Sequence, residues 1–219
     1  MLVLAIDTSS PAVTAGVVTV GGDIALAAER TALAPRGHGE LLTPSIAACL
    51  ADLGVTPRDV AAVVVGMGPG PYTGLRVGMV TAAAFTDAAG IPVYAVGSLD
   101  ALGAACAHEP SLLVITDARR HEVYWARYES GRRLTGPAVD RPADVPLEGV
   151  TAVAGAAAEL YSDVWPELTR RPEHYPDPVA LVRLALERIT AGAPSEPLNP
   201  LYLRRPDAVV PGAPKTVSQ

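Results

Sequence analysis

A pattern that occurs twice, 110 residues apart, places the strongest constraint on how this chain can fold. The segments "LVLAIDTSSPAVTAGVVTVGGDIAL" (2–26) and "LLVITDARRHEVYWARYESGRRLTG" (112–136) each begin with an apolar run that reaches an aspartate, Asp7 or Asp117. A turn containing glycine lies 14 residues beyond each aspartate. Such an offset in a chain of 219 residues indicates two copies of one structural unit.

The strands of the first copy can be placed from its apolar runs. Runs at 2–6, 12–20 and 23–30, separated by short turns, predict three antiparallel strands. Further buried strands are predicted at 59–66 and 91–97, where apolar residues continue without a polar break.

Two helices are predicted between these strands, which gives the order βββαβαβ. The first helix begins near His38 and ends at Gly54. Its apolar residues recur at spacings of three and four: Leu42, Ile46, Cys49, Leu50 and Leu53. The second helix is predicted at 74–89, with Thr73 as its N-cap and Gly90 at its end.

The second half of the chain shows weaker patterns after its meander. Residues 150–161 read as a strand followed by a short helix. A helix is predicted at 177–192, with Asp177 as its N-cap and Gly192 at its end. The Pro-rich, polar tail from about residue 209 is expected to be flexible.

Composition excludes several classes of protein. A hydrophobic content of 49% is enough for a sizeable core. A net charge of −6 argues against a protein that binds nucleic acid without a partner. The apolar runs are far shorter than the roughly 20 residues of a membrane span, and the N-terminus lacks the basic leader of a signal peptide. Cys49 and Cys106 lie in Ala-rich segments and are expected to be buried thiols. We therefore expect a cytoplasmic protein that does not associate with membranes.

The stretch "VVVGMGPGPYTGLRVGM" (63–79) has the strand–glycine loop–helix order of many phosphate-binding sites. It lacks the lysine of a P-loop, and Pro71 and Thr73 break the dinucleotide pattern G-x-G-x-x-G. Two interpretations remain open. The loop is a tight turn that needs close backbone approach, or it binds an anion weakly at a helix N-terminus.

Other polar residues suggest further chemistry. Asp7, Thr8 and Ser9 come after the first strand, and Asp117 stands at the matching place in the second copy, so two acids could face each other across a cleft. The alternative is that each aspartate caps its own turn. His38 would need a second histidine four residues later to hold a metal, and position 42 is leucine, so no metal site is predicted.

Five segments together resemble the bacterial TsaB family, also called YeaZ, from Met1 to about Ala208. They are "LAIDTSS", "HGELLTPSI", "GMGPGPYTGLRVGM", "DARRHEVYWARY" and "PLYLRRPDA". The resemblance implies an α/β fold of two ribonuclease-H-like lobes, as in actin, Hsp70 and sugar kinases, with mixed sheets and flanking helices. The lobes would comprise residues 1–104, which bind the partner, and 105–219.

The resemblance also implies a role in forming N6-threonylcarbamoyladenosine at position 37 of tRNA. In the family the catalyst is a paralogous subunit, TsaD, with a metal-binding pair of histidines on the helix that corresponds to the one beginning here at His38. This sequence has Leu42 in place of the second histidine. It would therefore be a non-catalytic scaffold that binds TsaD and, through the pair, the ATPase TsaE, and that meets tRNA through the complex.

In the family the two helices of the first lobe pack against those of the partner. Carried onto this sequence, the expected interface comprises His38, Glu40, Leu41, Leu42, Pro44, Ser45, Ala48, Cys49, Met79, Ala82, Ala83 and Thr86. Without a partner, the same surface would form a homodimer. No cofactor is required, and weak contact with ATP or ADP at the partner interface is left open for Asp7, Thr8, Ser9, Gly68, Gly70, Thr73 and Asp117.

Three other functions compete with this interpretation. A small-molecule kinase or ATPase of the same fold would use Asp7 and Asp117 to position a metal and nucleotide. A metallopeptidase is disfavoured by the missing second histidine and by the absence of an H-E-x-x-H helix. A tRNA-binding module is disfavoured by the acidic charge.

Overall fold

The computed structural model describes residues 1–34 and 37–204. In the first half, strands β1 (Leu2–Asp7), β2 (Ala12–Val20) and β3 (Ile24–Leu33) precede helix α1 (His38–Asp52), strand β4 (Val60–Gly66), helix α2 (Tyr72–Ala89) and strand β5 (Val93–Val96). Helix α3 (Ser98–Ala105) leads into the second half. There the elements are β6 (Leu112–Arg119), β7 (Glu122–Glu129), β8 (Arg132–Asp140), β9 (Ala152–Ala154), α4 (Ala157–Leu160), β10 (Thr169–Arg170) and α5 (Pro178–Thr190).

The strands form two sheets with the same order. The first sheet runs β3-β2-β1-β4-β5 and the second runs β8-β7-β6-β9-β10. In each sheet the first three strands pair antiparallel and the last two join in parallel. The predicted duplication and the two-lobed α/β fold are confirmed by this repeated order.

Side chains of β1 alternate between two cores, as the period of a strand requires. Leu4 and Ile6 pack with α1 and α2 on one face of the first sheet. Val3 and Ala5 pack with α5 on the other face. The predicted boundary at 104/105 lies within helix α3, and α5 from the second half packs against the first sheet.

The second sheet is covered less fully. Helix α3 contributes Leu99 and Leu102 to a cluster on one face. On the other face, α4 and the buried Trp165 pack against the strands.

Cys49 and Cys106 are both buried free thiols, as predicted. Among residues 1–34 and 37–204, no helix has the length and apolarity that a membrane span needs.

One helix begins earlier than predicted, one was not predicted, and one begins at the predicted cap. Helix α2 begins at Tyr72, after Pro71 at the N-cap position, so Thr73 lies in its first turn and the predicted N-cap was wrong. Helix α3 had no counterpart in the predicted elements. Asp177 caps α5 as predicted, accepting a 2.9 Å hydrogen bond from the amide of Ala180. The tail predicted to be flexible lies outside the described residues.

Candidate functional site

The turn after β1 is closed by hydrogen bonds within the chain. Asp7 is buried. Its Oδ1 accepts from the amide and the hydroxyl of Ser9, at 2.9 and 2.7 Å, and its Oδ2 accepts from the hydroxyl of Ser98 at 2.6 Å. Burial raises the pKa of Asp7, and the hydrogen bonds from Ser98 and Ser9 oppose that rise. Residues of the same chain therefore supply the hydrogen bonds to both oxygens of the Asp7 carboxylate.

Thr8 ties the same turn to helix α2. Its hydroxyl donates to the carbonyl of Gly74 at 2.8 Å and accepts from the amide of Gly78 at 3.1 Å. A Cβ on Gly78 would overlap the Thr8 oxygen. The helix thus lies directly on the turn, and glycine is the residue that permits this distance.

The glycine loop covers the turn from the other side. A Cβ on Gly66 would overlap the Asp7 carboxylate, and a Cβ on Gly70 would overlap the Ser9 carbonyl. Gly68 has a positive φ of 92°, and its amide donates to the Ser98 hydroxyl at 3.0 Å. Protein atoms therefore fill the space between loop and turn, which favours the tight-turn interpretation over anion binding.

An open cleft of about 720 Å³ lies beside this closed cluster. It is lined from the first half by the starts of α1 and α2 and from the second half by β6. His38 Nε2 lies 2.8 Å from the carbonyl of Ser10, so this nitrogen carries the proton and donates. Asp117 lines the cleft and accepts from the amide of Arg119 at 2.9 Å. Asp117 caps its own turn, whereas Asp7 is buried beneath the loop.

The predicted nucleotide-contact residues are thus divided between two places. The closed cluster holds Asp7, Thr8, Ser9, Gly68 and Gly70, and the cleft holds Thr73 and Asp117. Ser98, which joins Asp7 to the glycine loop, was not predicted. Its position soon after β5 was the available signal, because the carboxyl ends of neighbouring parallel strands meet at one edge of a sheet.

His38 and Glu40 both line the cleft. In the described part of the chain, no three histidine, cysteine, aspartate or glutamate side chains come together as metal ligands.

The residues predicted for a partner interface differ in how far they are exposed. Five of its residues are buried within the chain itself: Leu42, Cys49, Met79, Ala82 and Thr86. Glu40, Pro44 and Ala83 are exposed. His38, Leu41, Ser45 and Ala48 are partly exposed.

Helices α1 and α2 lie on the same side of the first sheet, and small or apolar residues form much of their exposed surface, beside the charged Glu40, Asp52, Arg76 and Asp87. We name this surface the helix face. It comprises the exposed residues Thr43, Pro44, Ala47, Ala51, Val80, Ala84 and Ala88. Val80 is 66% exposed. An apolar surface of this kind marks a site of protein association more often than one of catalysis.

Comparison with known proteins gives a consistent result. The family model "TsaD: tRNA N6-adenosine threonylcarbamoyltransferase" matches residues 31–173. An uncharacterized protein of Mycobacterium tuberculosis is 50% identical over 208 residues, which cover 94% of this chain and 93% of the relative. The tRNA threonylcarbamoyladenosine biosynthesis protein TsaB of Bacillus subtilis is 37% identical over 130 residues, covering 59% of this chain and 56% of that protein.

Solved structures agree with the sequence relatives. YeaZ from Pseudomonas aeruginosa superimposes with a TM-score of 0.75 at 26% identity, covering 92% of this chain and all (100%) of that one. A second structure from the same organism, described as similar to peptidase YEAZ, gives a TM-score of 0.76 at 27% identity, covering 93% and 99%.

Proposed function

The chain belongs to the TsaB family, also called YeaZ, and we propose that it is a non-catalytic subunit that activates the enzyme forming N6-threonylcarbamoyladenosine in tRNA. Its part in the biosynthesis of this nucleoside is inferred from the relatives that carry that name. The scaffold role is the further step. The observation that carries it is the closed cluster around Asp7, beside an exposed helix face.

The closed cluster supports a subunit without chemistry of its own. A kinase or ATPase of this fold would need Asp7 to reach a metal and a nucleotide. That carboxylate is buried, and both of its oxygens already accept hydrogen bonds from Ser9 and Ser98. Opening the site would leave these buried donors unpaired, which costs roughly 1–3 kcal/mol for each group.

The helix face supports binding to the catalytic paralogue TsaD. Its residues are small, and the exposed Ala47 and Ala84 let a second pair of helices come close. In this proposal the ATPase TsaE and the tRNA are reached through the TsaB–TsaD pair, and the same face forms a homodimer when TsaD is absent. The chain needs no cofactor of its own, and any contact with ATP or ADP is confined to the partner interface.

Reconstitution tests the role directly. The reaction contains tRNA, threonine, bicarbonate, ATP, the carbamoyl-adenylate synthase, TsaD and TsaE, with or without this chain, and modified adenosine is measured. We expect product only when the chain is present, and no ATP turnover by the chain alone. Equal product without the chain would contradict the proposal. ATP turnover that disappears in Asp7→Ala would favour the kinase.

A single substitution tests the helix face. Ala47→Arg places a long charged side chain on this surface, so we expect affinity for TsaD to fall at least about 100-fold, since a buried unpaired charge costs several kcal/mol. Ala143→Arg is the matched control, because Ala143 is also exposed but lies in the second half. Affinity is measured by titration calorimetry, with thermal melting to confirm the fold. Equal binding by both variants would place the interface elsewhere.

A further inference from the structure

The last described segment, residues 193–204, runs along the first half without forming a helix or strand. We name it the C-terminal strap. The amide of Glu196 donates to the carbonyl of Val93 at 3.2 Å, and the hydroxyl of Tyr94 donates to the carbonyl of Ala193 at 2.7 Å. The amide of Val93 donates to the hydroxyl of Ser195 at 3.1 Å. The strap is therefore held against β5, the edge strand of the first sheet.

The end of the strap reaches the second half. The amide of Leu201 donates to the carbonyl of Met67 at 2.9 Å, at the end of β4. Arg204 donates to the carbonyl of Ala118 at 3.2 Å and forms a 3.5 Å ion pair with Glu122. The strap thus connects the edge of the first sheet to the β6–β7 hairpin of the second.

Between these anchors the strap adds an aromatic residue to the surface of α2. The ring of Tyr202 stacks on Tyr72, with centroids 5.0 Å apart and planes at 24°. The guanidinium of Arg76 lies 4.1 Å from the centre of the Tyr72 ring, and its Nε donates to the Tyr202 hydroxyl at 3.3 Å. Tyr72 is 54% exposed and Tyr202 is 38% exposed. Tyrosine and arginine held in place before binding are typical anchors of protein interfaces.

A groove of about 840 Å³ lies between α2 and the strap, and its lining begins at Val80, one helical turn after Arg76. Its apolar lining comes from both sides: Val80, Ala83, Ala84, Ile91 and Leu198. On α2 the exposed residues Arg76, Val80 and Asp87 lie along one stripe, at spacings of four and seven. Arg76 and Asp87 are therefore roughly 16 Å apart along the helix. Asp87 lines the groove, and Arg76 lies one helical turn before Val80, outside the lining.

We propose that this strap groove is a second part of the TsaD-binding surface and that it takes an amphipathic helix of the partner. The inference rests on the proposed function and extends its interface beyond the helix face. The bound helix is apolar at its centre, carries a carboxylate opposite Arg76, and carries a cation about three turns away, opposite Asp87.

Charge favours a protein over RNA as the occupant. Two acidic residues line the groove, Asp87 and Glu196, of which Glu196 forms a 2.5 Å ion pair with Arg188. The whole chain has a net charge of −6. A groove that held a nucleic-acid backbone would need an excess of cations. The groove is also continuous with the helix face, since Val80 and Ala84 line both. A partner that binds the helix face would therefore also contact the strap.

Two variants of the full chain test the groove. Tyr202→Ala removes the stacked ring, and Asp87→Arg reverses the charge at the far end. We expect each to weaken affinity for purified TsaD at least about tenfold in titration calorimetry. Tyr202→Phe keeps the stack and is expected to bind within about twofold of wild type. Leu160→Ala, at a 62% exposed residue of the second half, is the surface control.

The outcomes separate this inference from the proposed function. Suppose that Tyr202→Ala and Asp87→Arg bind TsaD with wild-type affinity while Ala47→Arg does not bind. This result would contradict binding at the groove and would leave the proposed role of the helix face unchanged. Wild-type affinity in all three would overturn both. If Tyr202→Ala lowers the melting temperature, Asp87→Arg decides, because Asp87 is exposed and outside the stack. Unchanged TsaD affinity with weaker tRNA binding would overturn the groove in favour of base stacking.

Discussion

β1 and β6 occupy the same place in the same strand order, and both carry an aspartate near the carboxyl end. Asp7 is buried under the glycine loop and α2, and it accepts hydrogen bonds from Ser9 and Ser98. Asp117 is partly exposed on the open cleft and accepts from the amide of Arg119. Equivalent residues on equivalent strands therefore lie in opposite environments.

The difference arises from the segment that succeeds the neighbouring strand. After β4, the loop leads into α2, a helix of 18 residues that covers the turn. After β9, Gly155 leads into α4, which has only four residues. Glycine is needed at both junctions, since a Cβ on Gly66 would overlap Asp7 and one on Gly155 would overlap the Ile115 carbonyl. The duplicated strands place an aspartate at the same edge of each sheet. The length of the helix that follows determines whether that aspartate is buried or exposed.

The largest effect is expected where the loop touches the turn of the first half. Gly70→Val would drive its Cβ into the backbone carbonyl of Ser9, which cannot move without displacing β1. We expect a loss of about 3 kcal/mol or more in the free energy of unfolding. Gly22→Val is the matched control, because a Cβ on Gly22 meets nothing within 4 Å. Urea denaturation gives both values, and equal stability would mean that the turn is not closed.

A smaller effect is expected in the pH dependence of stability. The pKa of Asp7 is raised in the folded state by burial, so the folded protein retains this proton over a range where the unfolded chain has lost it. The contribution of Asp7 is complete below the unfolded pKa of 3.8 and is lost as the pH rises through the folded pKa. We expect the free energy of unfolding to fall over this window in wild type and Asp117→Asn, and not in Asp7→Asn. A fall retained in Asp7→Asn would assign it to another group.

The smallest effect concerns the two thiols, which report on opening of the two halves. Burial raises the pKa of Cys106 to about 12, and burial also raises the pKa of Cys49. Because the thiolate is the reactive form, both are expected to resist iodoacetamide at pH 8 in the folded protein and to react after unfolding. Mass spectrometry of the labelled chain monitors each site. Rapid labelling of Cys49 alone would show that α1 opens independently of the second half.

The sequence predicted β1 to β5 and helices α1, α2 and α5 well, because apolar periodicity and glycine or proline boundaries coincide there. Helix α3 was missed because its eight residues, "SLDALGAA", contain too few polar positions to show a helical period. Three of the residues predicted for a partner interface on α2, Met79, Ala82 and Thr86, are buried within the chain, whereas the neighbouring Val80 is exposed. Met79 and Val80 are both apolar, and the sequence alone does not show that the face with Leu75, Gly78 and Met79 is the one that packs inward.

The site was harder to predict than the fold for a related reason. The spacing of residues identified Asp7 and the glycine loop as candidates for a site. It could not show that the loop packs directly against the turn and leaves no room for a ligand. That closure depends on Ser98, which comes from a third strand end 91 residues away from Asp7. Contacts between distant segments leave no periodic signal in a single sequence.

The packing of α5 has a consequence for how the protein is made. The apolar face formed by Val3, Ala5, Val64 and Tyr94 is covered by residues 178–190, which leave the ribosome after nearly all of the rest of the described chain. At about 5–20 residues per second, the first sheet therefore waits roughly 5–20 seconds with one side bare. During that interval the nascent chain exposes an apolar surface. We expect chaperones that act during translation to bind this side of the sheet.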